Sequence, residues 1–162
     1  MCLKYTLSIR NNATERSVTF RGSSMEVDYK VNHPITSEEF IELLNRTSLG
    51  ERRPLESEVI VKAMLDNASL MVTAWLDGKL VGLARSLTDY HYCCYLSDLA
   101  VDESVQSMGI GKYLIKKTKE ALKPECKIVL LAAPLAEEYY PKIGFDACKS
   151  AWVLSDIIKL VI

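Results

Sequence analysis

The sequence predicts an α/β fold: a mixed, mostly antiparallel sheet with a central parallel strand pair, flanked by helices. Three observations carry this. Asp77-Gly78 joins two runs rich in Val, Leu and Trp, Leu70 to Leu76 and Leu80 to Leu87. Asp-Gly between apolar runs marks a two-residue hairpin, because that turn needs positive φ at both positions. An apolar and aromatic stretch from Tyr92 to Val101 is followed by a loop, an amphipathic helix and a second apolar run, Ile128 to Ala133. That order is the pattern of two parallel strands joined by a helical crossover. Finally, Thr36-Ser-Glu-Glu39 is a capping-box signature, which places a helix between the first strand and the hairpin.

Taken in order, residues 1–24 are the least regular part. Tyr5 to Ile9 and Ser17 to Phe20 are candidate short strands, but Asn11, Asn12, Gly22, Ser23 and Ser24 interrupt them. The expectation is a loosely attached extension, with one domain over residues 25–162. Glu26 to Val31 alternates polar and apolar and reads as the first core strand, ended by Pro34. Phe40, Leu43 and Leu44 then share one face of the capped helix, which Gly50 stops. Leu55, Val59, Ile60, Ala63 and Met64 recur at helical spacing and predict a second helix.

The hairpin leads through a turn at Asp89 to His91 into the Tyr92 to Val101 strand. In the helix opened by Gln106-Ser-Met-Gly-Ile-Gly-Lys112, Ile110, Leu114, Thr118, Ala121 and Leu122 form one face, and Lys112, Lys116, Lys119 and Lys123 lie largely on the other. Pro124 ends it. Ile128 to Ala133 predicts a strand buried on both faces. Ala136 to Ile143 predicts a short helix shortened by Pro141, and Phe145 to Cys148 and Ala151 to Leu154 predict two final strands. The apolar tail Ile157 to Ile162 would cover a sheet edge or extend the last strand.

The chain has 162 residues, 49% of them hydrophobic and 25% charged, ordinary values for a soluble globular domain. A formal net charge of -1 argues against a nucleic-acid partner, which usually requires a basic excess. No stretch is long or apolar enough to cross a membrane as a helix, so no membrane partner is expected. Five cysteines, an odd number without CxxC, and the absence of an evident signal peptide predict a reducing cytoplasm. His91, Cys93 and Cys94 cluster in sequence. Adjacent strand residues face opposite ways, however, so Cys93 and Cys94 could not easily chelate one ion; buried thiols and no metal are expected.

The junction Gln106 to Lys112 carries the chemistry. A helix N-terminus presents N–H groups without intrahelical partners and a partial positive charge, so a phosphate is a natural occupant. Gly109 and Gly111 lack Cβ and let the backbone approach a bulky diphosphate. Neither GxxxxGK[ST] nor GxGxxG is complete here. A plain strand-to-helix turn with nothing bound is the competing reading.

Gln-x-x-Gly-x-Gly after a strand ending Leu99-Ala-Val101 resembles the acyl-CoA-binding motif of the GNAT superfamily of N-acyltransferases. Ala136-x-x-x-Tyr140-x-x-x-Gly144-Phe145 resembles that superfamily's helix after the fifth strand, and the order of elements from about Met25 to Leu154 matches as well. The resemblance implies the GNAT fold and transfer of an acetyl group from acetyl-CoA, as cosubstrate, to a primary amine by direct attack in a ternary complex. It implies cofactor contacts from Leu99, Ala100 and Val101 at a splayed strand pair. It also implies that Gln106, Ser107, Met108, Gly109, Ile110, Gly111 and Lys112 cradle the diphosphate.

Tyr140 stands where many members place the phenol that protonates the departing thiolate; a structural tyrosine is the alternative. Asp98 and Asp89 are candidate bases, with structural hydrogen bonding as the competing role for each. The acceptor region would draw on Arg52, Arg53, Tyr90, His91 and Tyr92. Ala133 replaces a common asparagine, so any cofactor hydrogen bond from that side chain is absent. The acceptor is left open between a small-molecule amine and a peptide or protein, and a homodimer is left open too. A non-catalytic acyl-CoA sensor is the rival function.

Overall fold

The computed structural model describes residues 15–20, 23–159 and 161, with side chains from Glu26 onward, Leu135 excepted. The candidate strand Tyr5 to Ile9 lies outside the described residues. Two compact units divide the chain, residues 1–130 and 131–162.

The first unit is a six-stranded sheet in sequence order, β1 (Glu15–Phe20), β2 (Ser23–Val31), β3 (Leu70–Leu76), β4 (Lys79–Thr88), β5 (Cys93–Val101) and β6 (Lys127–Val129). All neighbours are antiparallel except β5 and β6, which are parallel. Asp77 and Gly78 both take positive φ, 49° and 78°, as the β3–β4 turn demands.

Helix α1 (Ser37–Asn45) opens on the full capping box: Glu39 N–H donates to Thr36 Oγ1 and Thr36 N–H to the Glu39 carboxylate. It ends at Asn45, earlier than Gly50, which instead starts a short 3-10 turn, Gly50–Arg52. Helix α2 (Glu58–Asp66) buries Val61, while Val59 is 80% exposed and Ile60 lies largely in solvent. The apolar stripe read from the sequence is therefore rotated, because Val61 rather than Val59 meets α1.

The sheet separates two cores. Phe40, Leu43 and Leu44 of α1 and Val61 of α2 pack on Leu80, Leu83 and Ala100. On the other face, Ile110, Leu114 and Leu122 from helix α3 (Ile110–Glu120) and its exit pack on Val72, Ala84, Cys94 and Leu96. Gly82 sets how closely α3 approaches. A Cβ there would lie 3.1 Å from Leu114 Cδ1, 3.2 Å from the Ala100 carbonyl oxygen and 3.2 Å from Ile110 Cγ2.

Strand β5 carries the decisive irregularity. Arg85 pairs with Asp98 but Ser86 pairs with Leu96, so Ser97 is an extra residue, a β-bulge. A bulge inverts the in–out alternation. Cys94 and Leu96 face α3, whereas Asp98 and Ala100 face α1 and α2, and Leu99 and Val101 return to the α3 side.

The parallel pairing of β5 and β6 is short, running only from Cys93 with Lys127 to Tyr95 with Val129. Strand β6 lies at one end of the sheet among the described residues, with Lys127 and Val129 exposed. The expected doubly buried strand over Ile128 to Ala133 is thus cut to three residues, since among the described residues only β5 pairs with it, over three positions.

The second unit, described by itself, holds three 3-10 turns, Pro134–Ala136, Pro141–Ile143 and Ile157–Lys159. The short helix expected from Ala136 to Ile143 is two such turns, and the strands expected at Phe145 to Cys148 and Ala151 to Leu154 do not form. An apolar run becomes a strand only where a ladder accepts its backbone groups. Here Trp152 is 91% exposed, and Val153 and Leu154 are exposed beside it.

Gly82→Val is expected to force α3 off the sheet and cost about 1–3 kcal/mol. Urea denaturation should show a lowered midpoint at unchanged slope.

Candidate active site

The site is built first of backbone groups. Asp102 N–H donates to the Val81 carbonyl, so Val81 and Asp102 form a hydrogen-bonded antiparallel pair. Such pairs alternate. Ala100 opposite Leu83 and Asp98 opposite Arg85 therefore turn their backbone groups to β4, while Val101 and Leu99, opposite Gly82 and Ala84, turn theirs the other way. That outward side is where β6 would continue, and β6 has already ended at Val129. Among the described residues no strand pairs with β5 at Leu99 and Val101 on that side. Ala100 is not brought to it; it is 2% exposed and packs in the α1–α2 core.

Beyond Val101 the chain makes a 3-10 turn, Glu103–Val105, and reaches the glycine loop. Gln106 Nε2 reaches back to the Val101 carbonyl at 3.4 Å. Ser107 and Gly109 have φ of 68° and 81°, a repeated left-handed excursion of the kind that turns successive N–H groups to one side. Gly109 is the N-cap of α3 and no side chain caps that end. The first helical bond runs from Tyr113 N–H to Gly109, so the N–H groups of Ile110, Gly111 and Lys112 precede it. A Cβ built on Gly109 meets nothing within 4 Å. Met108 and Ile110 hold the loop to the core, while Gln106, Ser107 and Lys112 are exposed.

Two buried carboxylates, Asp98 on β5 and Asp102 just past its end, anchor this arrangement. Asp98, 1% exposed, accepts from Arg53 Nε at 2.6 Å and from Arg85 Nε at 2.5 Å, one on each oxygen. Arg53 also donates to the carbonyl of the bulged Ser97 at 2.9 Å, and Arg85 to Ser97 Oγ at 2.9 Å. Asp102, 3% exposed, accepts Ser104 N–H and Oγ–H on one oxygen and Arg46 Nε, at 2.6 Å, and Lys79 Nζ on the other. Burial alone would push the Asp102 carboxyl up. The hydrogen bonds from Ser104, then Arg46 and Lys79, outweigh it and hold the group well below the usual carboxylate range.

Arg53 is thus tied to the strand, while Arg52 is exposed. Tyr90 belongs elsewhere: its phenol donates to the Ser69 carbonyl, its own carbonyl accepts Lys123 N–H, and its ring packs on the α3 side of the sheet. Arg53 and Tyr90 therefore stand on opposite faces. Asp89 Oδ1 takes backbone N–H groups from Tyr92, His91 and Cys93, which hold its carboxyl below the usual carboxylate pKa and close the β4–β5 turn. Cys94 is buried and Cys93 exposed, on opposite faces as alternation requires. Among the described residues no three His, Cys, Asp or Glu side chains gather as a metal site.

In the second unit Tyr140 is half-buried. Its ring meets Phe145 edge-on at 5.5 Å and Tyr139 at 5.4 Å. Gly144, at φ 96°, lets Phe145 N–H return to the Tyr140 carbonyl at 3.1 Å. Burial, with Tyr139 beside it, pushes the Tyr140 phenol up, so it keeps its proton at neutral pH.

The model of the acetyltransferase (GNAT) domain matches residues 42–161, most of the chain. This protein belongs to the GNAT acetyltransferase family. An uncharacterized N-acetyltransferase, ycf52, of Pyropia yezoensis is 30% identical over 100 residues, 58% of this chain and 56% of that one. GCN5-related N-acetyltransferase 2, chloroplastic, of Arabidopsis thaliana is 34% identical over 71 residues, 43% of this chain and 28% of that one. The chain therefore spans about half or less of these relatives' length. Among solved structures, a GNAT-family acetyltransferase of Streptococcus pneumoniae shares the fold at TM-score 0.63 and 22% identity, covering 80% of this chain and 99% of that one. The aminoglycoside N-acetyltransferase AAC(6')-Iy in complex with CoA does so at TM-score 0.64 and 15% identity, covering 84% and 98%.

Asp102→Asn should cost about 2 kcal/mol at neutral pH, because Ser104 and the part-exposed Arg46 lose a charged acceptor. A carboxyl whose pKa folding depresses stabilises the folded state above the unfolded pKa near 4, and that contribution is lost as pH falls below it toward the folded pKa. Urea midpoints taken from pH 7 down to pH 3 should fall below about pH 4 in the wild type, and less steeply in Asp102→Asn.

Proposed function

We propose that this GNAT protein transfers an acetyl group from acetyl-CoA to a primary amine by direct attack in a ternary complex. The observation that carries the reading is the unpaired β5 edge at Leu99 and Val101, which leads straight into the uncapped N-terminus of α3. Amide-bearing pantetheine suits the edge, and a diphosphate suits the N–H groups from Gln106 to Lys112. Backbone N–H at Leu99 or Val101 would stabilise the oxygen of the thioester as charge develops.

The amine nitrogen forms a bond to the acetyl carbon and the carbon–sulfur bond breaks. Tyr140, still protonated, gives its proton to the leaving thiolate. A thiol of pKa ~8.5 is a fair leaving group, so the assistance needed is modest. An amine of pKa ~10.4 must first lose a proton. Asp98 fits an anchoring role better than that of base, since a base needs an oxygen open to the amine and both of its oxygens are engaged, whereas Asp89 spends Oδ1 on its turn and keeps Oδ2 for a base's role. Water carries the proton away in this reading. Arg52, exposed on the α1–α2 connection, is the better placed of the arginines to meet an acceptor.

The family neighbourhood includes proteins named for aminoglycoside and for histone acetylation, so both small molecules and proteins belong on the acceptor panel. The engagement of both Asp98 oxygens also favours, as a second reading, a CoA-binding module without turnover. Free-thiol release over an amine panel separates the two.

Gly109→Val, which places a β-branched residue at φ 81°, should abolish CoA binding by calorimetry; unchanged binding would remove the loop assignment. Tyr140→Phe should lower thiol release about 100-fold with CoA affinity within twofold, and an unaltered rate would exclude it as the acid.

A further inference from the structure

Arg46 touches the start of the glycine loop twice. Its Nε–H donates to Asp102 Oδ2 at 2.6 Å, and its own carbonyl accepts Glu103 N–H at 3.1 Å. Its Nη2 is fixed in turn by the Leu80 carbonyl at 2.9 Å. Arg46 is the C-cap of α1, so the end of that helix, the start of β4 and the exit of β5 meet at one guanidinium. The other cation on Asp102, Lys79, is 56% exposed and stands at 3.4 Å, a far looser hold. A planar fork held on two sides fixes direction in a way that a flexible ammonium cannot.

We propose that Arg46 is a positioning residue for the cofactor loop. It sets the take-off of residues 102–109, and with it the direction in which the first N–H groups of α3 point, and it makes the end of α1 and the loop move as one body. The inference rests on the assignment of that loop to CoA. It also carries a coupling: whatever orders the end of α1 on the acceptor side favours the loop geometry that holds the diphosphate, and the reverse follows by linkage.

A purely structural role would be neutralisation of a buried carboxylate. Removing both charges separates the two roles, because a buried pair replaced by neutral groups of similar volume is often no loss to stability. Arg46→Met should be destabilised and bind CoA at least tenfold more weakly than the full-length wild type. The double variant Arg46→Met with Asp102→Asn should regain most of the stability yet keep the tenfold loss in calorimetric CoA affinity. Hydrogen exchange of the Ser104 to Gly111 amides should be faster in that variant, with β3 and β4 unchanged. A double variant that binds CoA as tightly as wild type, with unaltered loop exchange, would overturn the inference. Failure of the wild type itself to bind CoA would overturn the loop assignment, while the exchange measurement still decides whether Arg46 fixes the loop.

Discussion

The rest of the structure depends on the burial of Asp98 against two guanidinium groups. The bulge at Ser97 turns this carboxylate onto the α1–α2 face, where it is almost wholly out of water. A charge so placed must be compensated, and leaving it unpaired would cost several kcal/mol. Arg85 crosses from β4, and Arg53 comes down from the α1–α2 connection. Four residues on, Asp102 repeats the scheme with Arg46. One carboxylate on β5 and one at its exit thus pin the connection that begins at the end of α1 to the strand that precedes the glycine loop. The end of α1, the α1–α2 connection and the start of the glycine loop are thereby tied to a single frame.

What could be read from the sequence was whatever a few neighbouring residues decide. Asp77-Gly78 fixes a turn through its own φ values, Thr36 and Glu39 satisfy each other across three residues, and the apolar stripe from Ile110 to Leu122 faces the core it implied. The glycine junction was legible for the same reason. The bulge at Ser97 was not, since an extra residue leaves no mark in an apolar strand until its partner's register is known. Nor was the pairing of Arg53 and Arg85 with Asp98, whose members stand 45 and 13 positions apart. Arg53, read as a surface residue facing an acceptor, is tied to the sheet for that reason. Apolar composition misled where no ladder exists: Trp152 to Leu154 carry strand-forming side chains and no paired edge.

A site made of main-chain groups places few demands on side chains. Leu99 and Val101 offer the same N–H and C=O whatever their side chains, and alternation rather than identity selects them. The demands fall instead on Gly109, whose left-handed backbone disfavours a Cβ, and on the anchors Asp98 and Asp102 that hold the strand in register. This is consistent with a fold shared at 15% identity with a CoA-bound acetyltransferase.

The early end of β6 has a consequence for solubility. A strand edge with unsatisfied N–H and C=O groups is a template for any extended chain, including another copy of the same protein. Here the open part of β5 adjoins the exposed apolar side chains of Tyr95 and Val129. Among the described residues no strand pairs with β5 beyond Tyr95 on the β6 side, so a ligand that completed the ladder there would also withdraw the template from a second chain.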